Sequence, residues 1–280
     1  MTNPQSKSRK MQQDNSNPNP EGLLTFGGHI RVLRQMLFRT LSVAGVFAAV
    51  VFCCKDITWR ILLAPSEWNF CTYRWIERAM QAIGVGFSFE EFHVEMIATD
   101  LSSQFMTHIT TACYLGLLAA SPYIMYELFR FISPALYENE KRYSVQVAGT
   151  MYLLFIVGVM ITYFILFPIS FRFLGTYSVS AKVVSNITLD SYISTFTTLT
   201  LMMGLVFQLP IIAFFLGKMG IISAKMLAKY RKHAIIIITL VAAIITPPDL
   251  MTLVLVTVPL YLLYEVSIKV LQVIGREETL

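Results

Sequence analysis

"VQVAGTMYLLFIVGVMITYFILFPISFRFL", residues 145–174, holds one charged side chain, Arg172, in thirty residues. A helix rises about 1.5 Å per residue and the hydrocarbon core of a bilayer is about 30 Å thick, so about 20 such residues are enough to cross it. A soluble protein can bury an apolar run as a core helix, but core helices are shorter and keep one polar face. This run keeps none, and Pro168 lies near its end.

Five further apolar runs flank it: residues 36–54, 105–128, 192–216, 234–245 and 251–270, the last containing Pro259. Mean hydropathy is +0.61 and charged residues make up 14%, against about 25% in soluble domains. The chain therefore reads as an all-α polytopic membrane protein with six spanning helices. The 234–245 run is short for a span, about 18 Å of helix, and "TPPD" (Thr246–Asp249) ends it. Prolines 247 and 248 lack the N–H that a helix needs, and Asp249 can cap the helix that follows. Either a re-entrant hairpin or a short spanning pair that thins the bilayer fits this pattern.

The net charge is +5, but the basic residues form no stripe for nucleic acid. Lys7, Arg9, Lys10, Arg31, Arg34 and Arg39 precede the first run. Arg130, Lys141 and Arg142 follow the second. Lys218, Lys225, Lys229, Arg231 and Lys232 follow the fourth, and Lys269 and Arg276 close the last. Fewer basic residues (Lys55, Arg60, Arg74, Arg78, Arg172 and Lys182) fall on the opposite side. The positive-inside rule then places both termini in the cytoplasm. The long first outer loop contains "WIERAMQAIG" (75–84), an amphipathic helix pattern that fits an outer cap. The Asn-, Pro-, Gln- and Ser-rich stretch 1–24 reads as a disordered cytoplasmic tail, without the short apolar region of a cleavable signal peptide. Residues 25–270 form one membrane domain, and 271–280 form a second cytoplasmic tail. No inverted repeat of the transporter kind is evident.

No enzyme constellation emerges. The four histidines are scattered, no glycine-rich phosphate loop follows a strand, and no nucleophile has a visible base. Cys53, Cys54, Cys71 and Cys113 lack metal-ligand spacing and read as small apolar fillers. Neither a metal nor a cofactor is expected. Tyr163 and Tyr192 read as interface-belt aromatics, and Glu265 reads as structural, either snorkelling to the interface or pairing with Lys269 four residues on. Gln208, in "GLVFQLP" (204–210), is costly in hydrocarbon unless hydrogen-bonded. Pro210 frees the carbonyl of Val206, a natural partner for that amide. Packing and function are equally good readings of Gln208 from the residues alone.

"MIATDLSSQF" (96–105), "FISPALYENEKR" (131–142), "YFILFPISFRFL" (163–174), "GLVFQLP", "TPPD" and "VPLYLLYE" (258–265) occur in this order and spacing. Together they resemble TatC, the polytopic core of the twin-arginine protein translocase, over residues 25–270. The resemblance implies a concave, glove-like array of six helices, the last two short, in the bacterial cytoplasmic (inner) membrane. It implies a receptor for signal peptides bearing consecutive arginines on folded cargo. It also implies partners of the single-span TatA/TatB type in an oligomeric complex, with export driven by the proton-motive force and no nucleotide. Residue by residue, the glutamate that contacts the signal arginines matches Glu140, and the aromatic ahead of it matches Phe131. The arginine of the N-terminal motif matches Arg34, the outer-loop proline Pro65, and the "TPPD" aspartate Asp249. The intramembrane polar residue matches Gln208 and becomes the docking point for the partner's helix. One departure stands out: the N-terminal motif reads "HIRVLR", so Val32 stands where the family has a second signal-binding glutamate. A secondary transporter of a small solute, lined by Gln208 and Asp249, is the alternative from another class.

Overall fold

The computed structural model describes residues 26–84, 86, 88–89, 91–92, 94–132, 144–178, 180 and 186–277. The chain opens with α1 (Phe26–Cys53), followed by the cap elements α2 (Lys55–Leu63), a 3-10 turn (Ala64–Ser66) and α3 (Cys71–Ala82). Next come a short strand β1 (Met96–Ile97), α4 (Ser103–Ala119), α5 (Ser121–Ile132) and α6 (Ser144–Ile161). A π-helical turn (Thr162–Leu166) joins α6 to α7 (Phe167–Thr176), and β2 (Ile187–Thr188) pairs parallel with β1. The chain closes with α8 (Leu189–Val206), α9 (Leu209–Lys218), α10 (Ala224–Lys229), α11 (Arg231–Ile245) and α12 (Leu250–Glu277).

Among the described residues, four helical stretches are long and apolar enough to cross a membrane: Ile30–Cys53, Val147–Thr176, Leu189–Lys218 and Leu250–Gly275. The 105–128 run, expected as one span, is made of α4 and α5, which are together long and apolar enough to cross and meet at a bend of 56°. Pro122 explains the break: it lacks the donor that would continue α4, and it is tolerated in the first turn of a new helix. Of the two last helices, both expected short, only α11 is, at 15 residues. The last helix, α12, has 28 residues and runs through Pro259, which rules out a hairpin of two short arms. Lys55, Gln104 and Leu189 line one cavity, so α1 ends where α4 and α8 begin. We call this the cap end. Gly217, Lys225 and Gln272 line another cavity at the far end.

Proline chemistry also ties the cap to the bundle. Pro168 has no N–H to give the carbonyl of Phe164, four residues back. The Thr72 hydroxyl on α3 donates to that carbonyl instead. The Tyr73 hydroxyl, with its ring fully buried, donates to the carbonyls of Pro168 at 2.9 Å and Pro65 at 3.3 Å. Burial pushes that phenol above its ordinary pKa, which keeps it a donor. From α7, the Arg172 guanidinium lies 4.4 Å from the Phe89 ring and 4.5 Å from Phe92, a geometry in which each ring face attracts the cation.

Two of the tyrosines differ from expectation. Tyr192 is 2% exposed and donates to the Leu62 carbonyl at 2.7 Å, and Tyr163 donates to Ile61 at 2.7 Å. Both stitch the cap's α2 to the bundle rather than standing in an interface belt. The cysteines are not fillers either: Cys53, Cys54 and Cys113 are exposed and only Cys71 is half-buried, because their helix faces meet no neighbour. Tyr192, Phe167, Phe171 and Phe196 form the centre of the largest apolar cluster, with rings edge-to-face at 4.9–5.0 Å. The bundle packs closely where α4 crosses α1, since a Cβ on Gly116 would lie 2.5 Å from the Ala48 nitrogen.

Candidate functional site

At the end opposite the cap, α1 enters and α5 leaves the bundle. Val32 on α1 is 41% exposed, and Arg31 and Arg34 beside it are exposed. Phe131 lies in the last turn of α5, half-buried. Glu140 lies outside the described residues, as do Glu138, Lys141 and Arg142.

One carboxylate in this region is buried. Glu127, one turn before Phe131 on α5, is 6% exposed. Its Oε1 lies 3.8 Å from Nη1 of Arg39 on α1 and accepts from the Tyr123 hydroxyl at 2.9 Å. Arg39 stands one turn inside the apolar run of α1, where an isolated guanidinium is expensive. Glu127 neutralises it and, in doing so, fixes α1 against α5. Glu127 is not among the residues the motifs single out, although a carboxylate inside the apolar 105–128 run is itself a signal.

Gln208 sits midway along the bundle at the break between α8 and α9. The break follows from Pro210, which cannot donate to Val206, and the backbone turns through Gln208 N–H donating to Leu205 at 3.0 Å. The side chain is 6% exposed. Its Nε2 donates to the Met151 carbonyl of α6 at 3.1 Å and, more weakly, to Gly204 at 3.5 Å. The amide therefore does not take the freed Val206 carbonyl; it bridges to another helix. That reach is possible because α6 and α8 approach closely, with a Cβ on Gly204 meeting the Phe155 ring at 2.6 Å. The Oε1 of Gln208 is buried and accepts no hydrogen bond among the described residues.

Pro65 and Asp249 lie at the cap end. Pro65 is buried in its 3-10 turn. Asp249 Oδ1 accepts from Thr252 N–H at 2.7 Å, capping α12 as its sequence position predicts, while Oδ2 is buried without a partner. Glu265 pairs with Arg231 rather than with Lys269: Nε–Oε1 is 2.7 Å and Nη2–Oε2 is 2.9 Å. This two-pronged pair clamps α11 to α12, and Tyr261 adds a hydrogen bond at 3.1 Å. The described candidates thus fall in three places: Arg34, Val32 and Phe131 at the end away from the cap, Gln208 at mid-depth, and Pro65 and Asp249 under the cap. They do not converge on one pocket, which suits a long extended ligand better than a small solute. Among the described residues no cluster of His, Cys, Asp and Glu is placed to hold a metal.

The family model for the Sec-independent protein translocase protein (TatC) matches residues 28–259. A protein named Sec-independent protein translocase protein TatC from Desulforapulum autotrophicum is 33% identical over 253 residues, covering 90% of this chain and 86% of that one. The TatCy protein of Bacillus subtilis is 38% identical over 171 residues, 61% of this chain and 67% of that one. A crystal structure of the twin-arginine translocase receptor TatC superposes with a TM-score of 0.69 at 31% identity, covering 88% of this chain and 98% of the other.

Proposed function

Because the chain belongs to the TatC family of Sec-independent protein translocase proteins, we propose that it is the translocase subunit that receives twin-arginine signal peptides at the end of the bundle where α1 enters and α5 leaves. The observation that carries this reading is the family match across residues 28–259, on a polytopic helical bundle of the same fold as the TatC receptor. The chain is a membrane protein of a transport family and a core component of the twin-arginine translocase. The solute-transporter alternative finds no support in these relatives.

Glu140 is the carboxylate assigned to the signal arginines, through short charge-assisted hydrogen bonds. Phe131 gives that contact an apolar wall, and Arg34 is carried over with them from the family motif. Val32 offers no charge, and Glu127 does not replace it because Arg39 and Tyr123 already hold its carboxylate. Recognition of the arginine pair then rests on Glu140 more heavily than where two glutamates share it.

Gln208 is the docking point for a single-span partner helix of the TatA/TatB type. The motivation is its place at the α8–α9 break at mid-depth, with an Oε1 that no donor among the described residues satisfies. Pro65 and Asp249 shape the cap end: Pro65 turns the chain between α2 and α3, and Asp249 starts α12. The excess of basic residues supports a cytoplasmic side for both termini, in the bacterial inner membrane. Transport draws on the proton-motive force.

Photo-crosslinking tests the receptor reading. A twin-arginine signal peptide carrying a photoreactive residue beside its arginines crosslinks to the membrane-inserted protein, and a twin-lysine peptide does so weakly. Glu140→Ala abolishes the crosslink. Undiminished crosslinking in Glu140→Ala contradicts the assignment.

A further inference from the structure

At the cap end a cavity of about 550 Å³ opens between α2, β1, α4 and the start of α8. Three polar side chains line it: Lys55, Gln104 and His108. Lys55 makes no ion pair and Gln104 no side-chain hydrogen bond among the described residues. The Nε2 of His108 is buried and without a hydrogen-bond partner. Its ring is held in place, stacked on Phe52 with centroids 4.4 Å apart and planes at 14°, and tilted against Trp59 at 6.2 Å. A fixed imidazole ring and a free ammonium thus border one space, the ammonium able to donate into it.

The backbone adds to the same sign of charge. Lys55 begins α2, Gln104 lies in the first turn of α4, and Leu189 begins α8, and all three residues line the cavity. Unpaired N–H groups at helix starts give each a partial positive charge, and neither α2 nor α4 has a side-chain cap. Asp56 and Asp190, in the first turns of α2 and α8, are exposed and are not among the residues lining the cavity. The remaining walls are apolar, with Trp59, Phe105 and Leu189 prominent.

Depth identifies the occupant. The apolar span of α1 ends at Cys53, two residues before Lys55. The apolar pair α4–α5 begins at Ser103, one residue before Gln104. The cavity therefore sits where lipid headgroups meet hydrocarbon, cationic on its polar side and apolar along its walls. We propose that it is a binding site for an anionic phospholipid of the leaflet facing the cap. The phosphate accepts from Lys55 and Gln104, the His108 ring forms part of the wall, and an acyl chain lies along Phe105 and Leu189. A lipid bound there pins α2 and the β1–β2 pair at the membrane surface.

The test is native mass spectrometry of the full chain in detergent, titrated with phosphatidylglycerol. Wild type retains one phosphatidylglycerol tightly. Lys55→Ala weakens that binding about tenfold, as the loss of a charge-assisted hydrogen bond requires. Lys218→Ala, at the far end of the bundle, leaves it unchanged. Equal retention by wild type and Lys55→Ala, whose exposed side chain holds no other group, overturns the proposal. So does equal binding of zwitterionic phosphatidylcholine, which removes the role of net charge. Displacement by millimolar inorganic phosphate shows that the acyl chain contributes nothing, and it rejects a lipid occupant. Displacement by a twin-arginine signal peptide assigns the cavity to the peptide instead and also overturns the lipid reading.

Discussion

Replacing Glu127 by Gln, alone and together with Arg39→Gln, isolates the ion pair that joins α1 to α5. At 3.8 Å and an effective dielectric of about 20, the Coulomb attraction is about 4 kcal/mol before any cost of desolvation. One fact reduces it and another works against that reduction. The Arg39 side chain is 55% exposed, and exposed pairs are worth about 0.2–1 kcal/mol in double-mutant cycles. The Glu127 side chain, at 7%, pushes the other way, because removing one partner of a buried pair costs about 3–5 kcal/mol. The half-buried geometry puts the coupling energy between these limits, at about 1–1.5 kcal/mol. Glu127→Gln keeps an oxygen for the Tyr123 hydroxyl, so the cycle measures charge rather than packing. The assay is reversible unfolding of the purified protein in mixed micelles, with all four cycle members compared. A coupling within about 0.3 kcal/mol of zero, the additivity expected of independent sites, refutes the claim that this pair fixes α1 against α5.

Thr72→Val leaves the Phe164 carbonyl without a donor and destabilises the protein by about 1–3 kcal/mol, while Thr72→Ser, which keeps the hydroxyl, costs less than half of that; equal loss in both variants contradicts the proline-repair reading. Gln208→Leu removes the bond to Met151 and costs about 0.6–2 kcal/mol, leaves membrane insertion intact, and lowers co-purification of the single-span partner; unaltered co-purification returns Gln208 to a packing role. Val32→Glu restores the missing carboxylate and tightens signal-peptide binding, measured by the crosslinking titration of the Glu140→Ala test; no change shows that this position does not reach the arginines.

The sequence shows the apolar run at 145–174 directly, because hydrocarbon thickness and helix rise fix the length a span needs. The cap helix at 75–84 and the Asp249 cap of α12 are equally local and equally legible. What the sequence hides is partnership at a distance. Gln208 faces a carbonyl 57 residues away, which no local spacing encodes. Glu265 has Lys269 one turn along its own helix, yet its partner is Arg231 on α11, because the tertiary fold brings a better-shaped donor. Tyr192 looks like any aromatic at a helix end, yet the cap carbonyl of Leu62 and the rings of Phe167 and Phe171 together bury it. Pro122 is visible in the sequence, but the continuous hydropathy around it conceals the bend it makes. The candidate residues of the α1 and α5 end are singled out by motif order rather than by any one residue.

The most direct test of the central claim is export in a cell that lacks its own TatC. This chain, inserted and supplied with its single-span partner, restores export of a folded reporter carrying a twin-arginine signal and fails with a twin-lysine signal. Proper insertion with partner present and no reporter outside the cytoplasm contradicts the account.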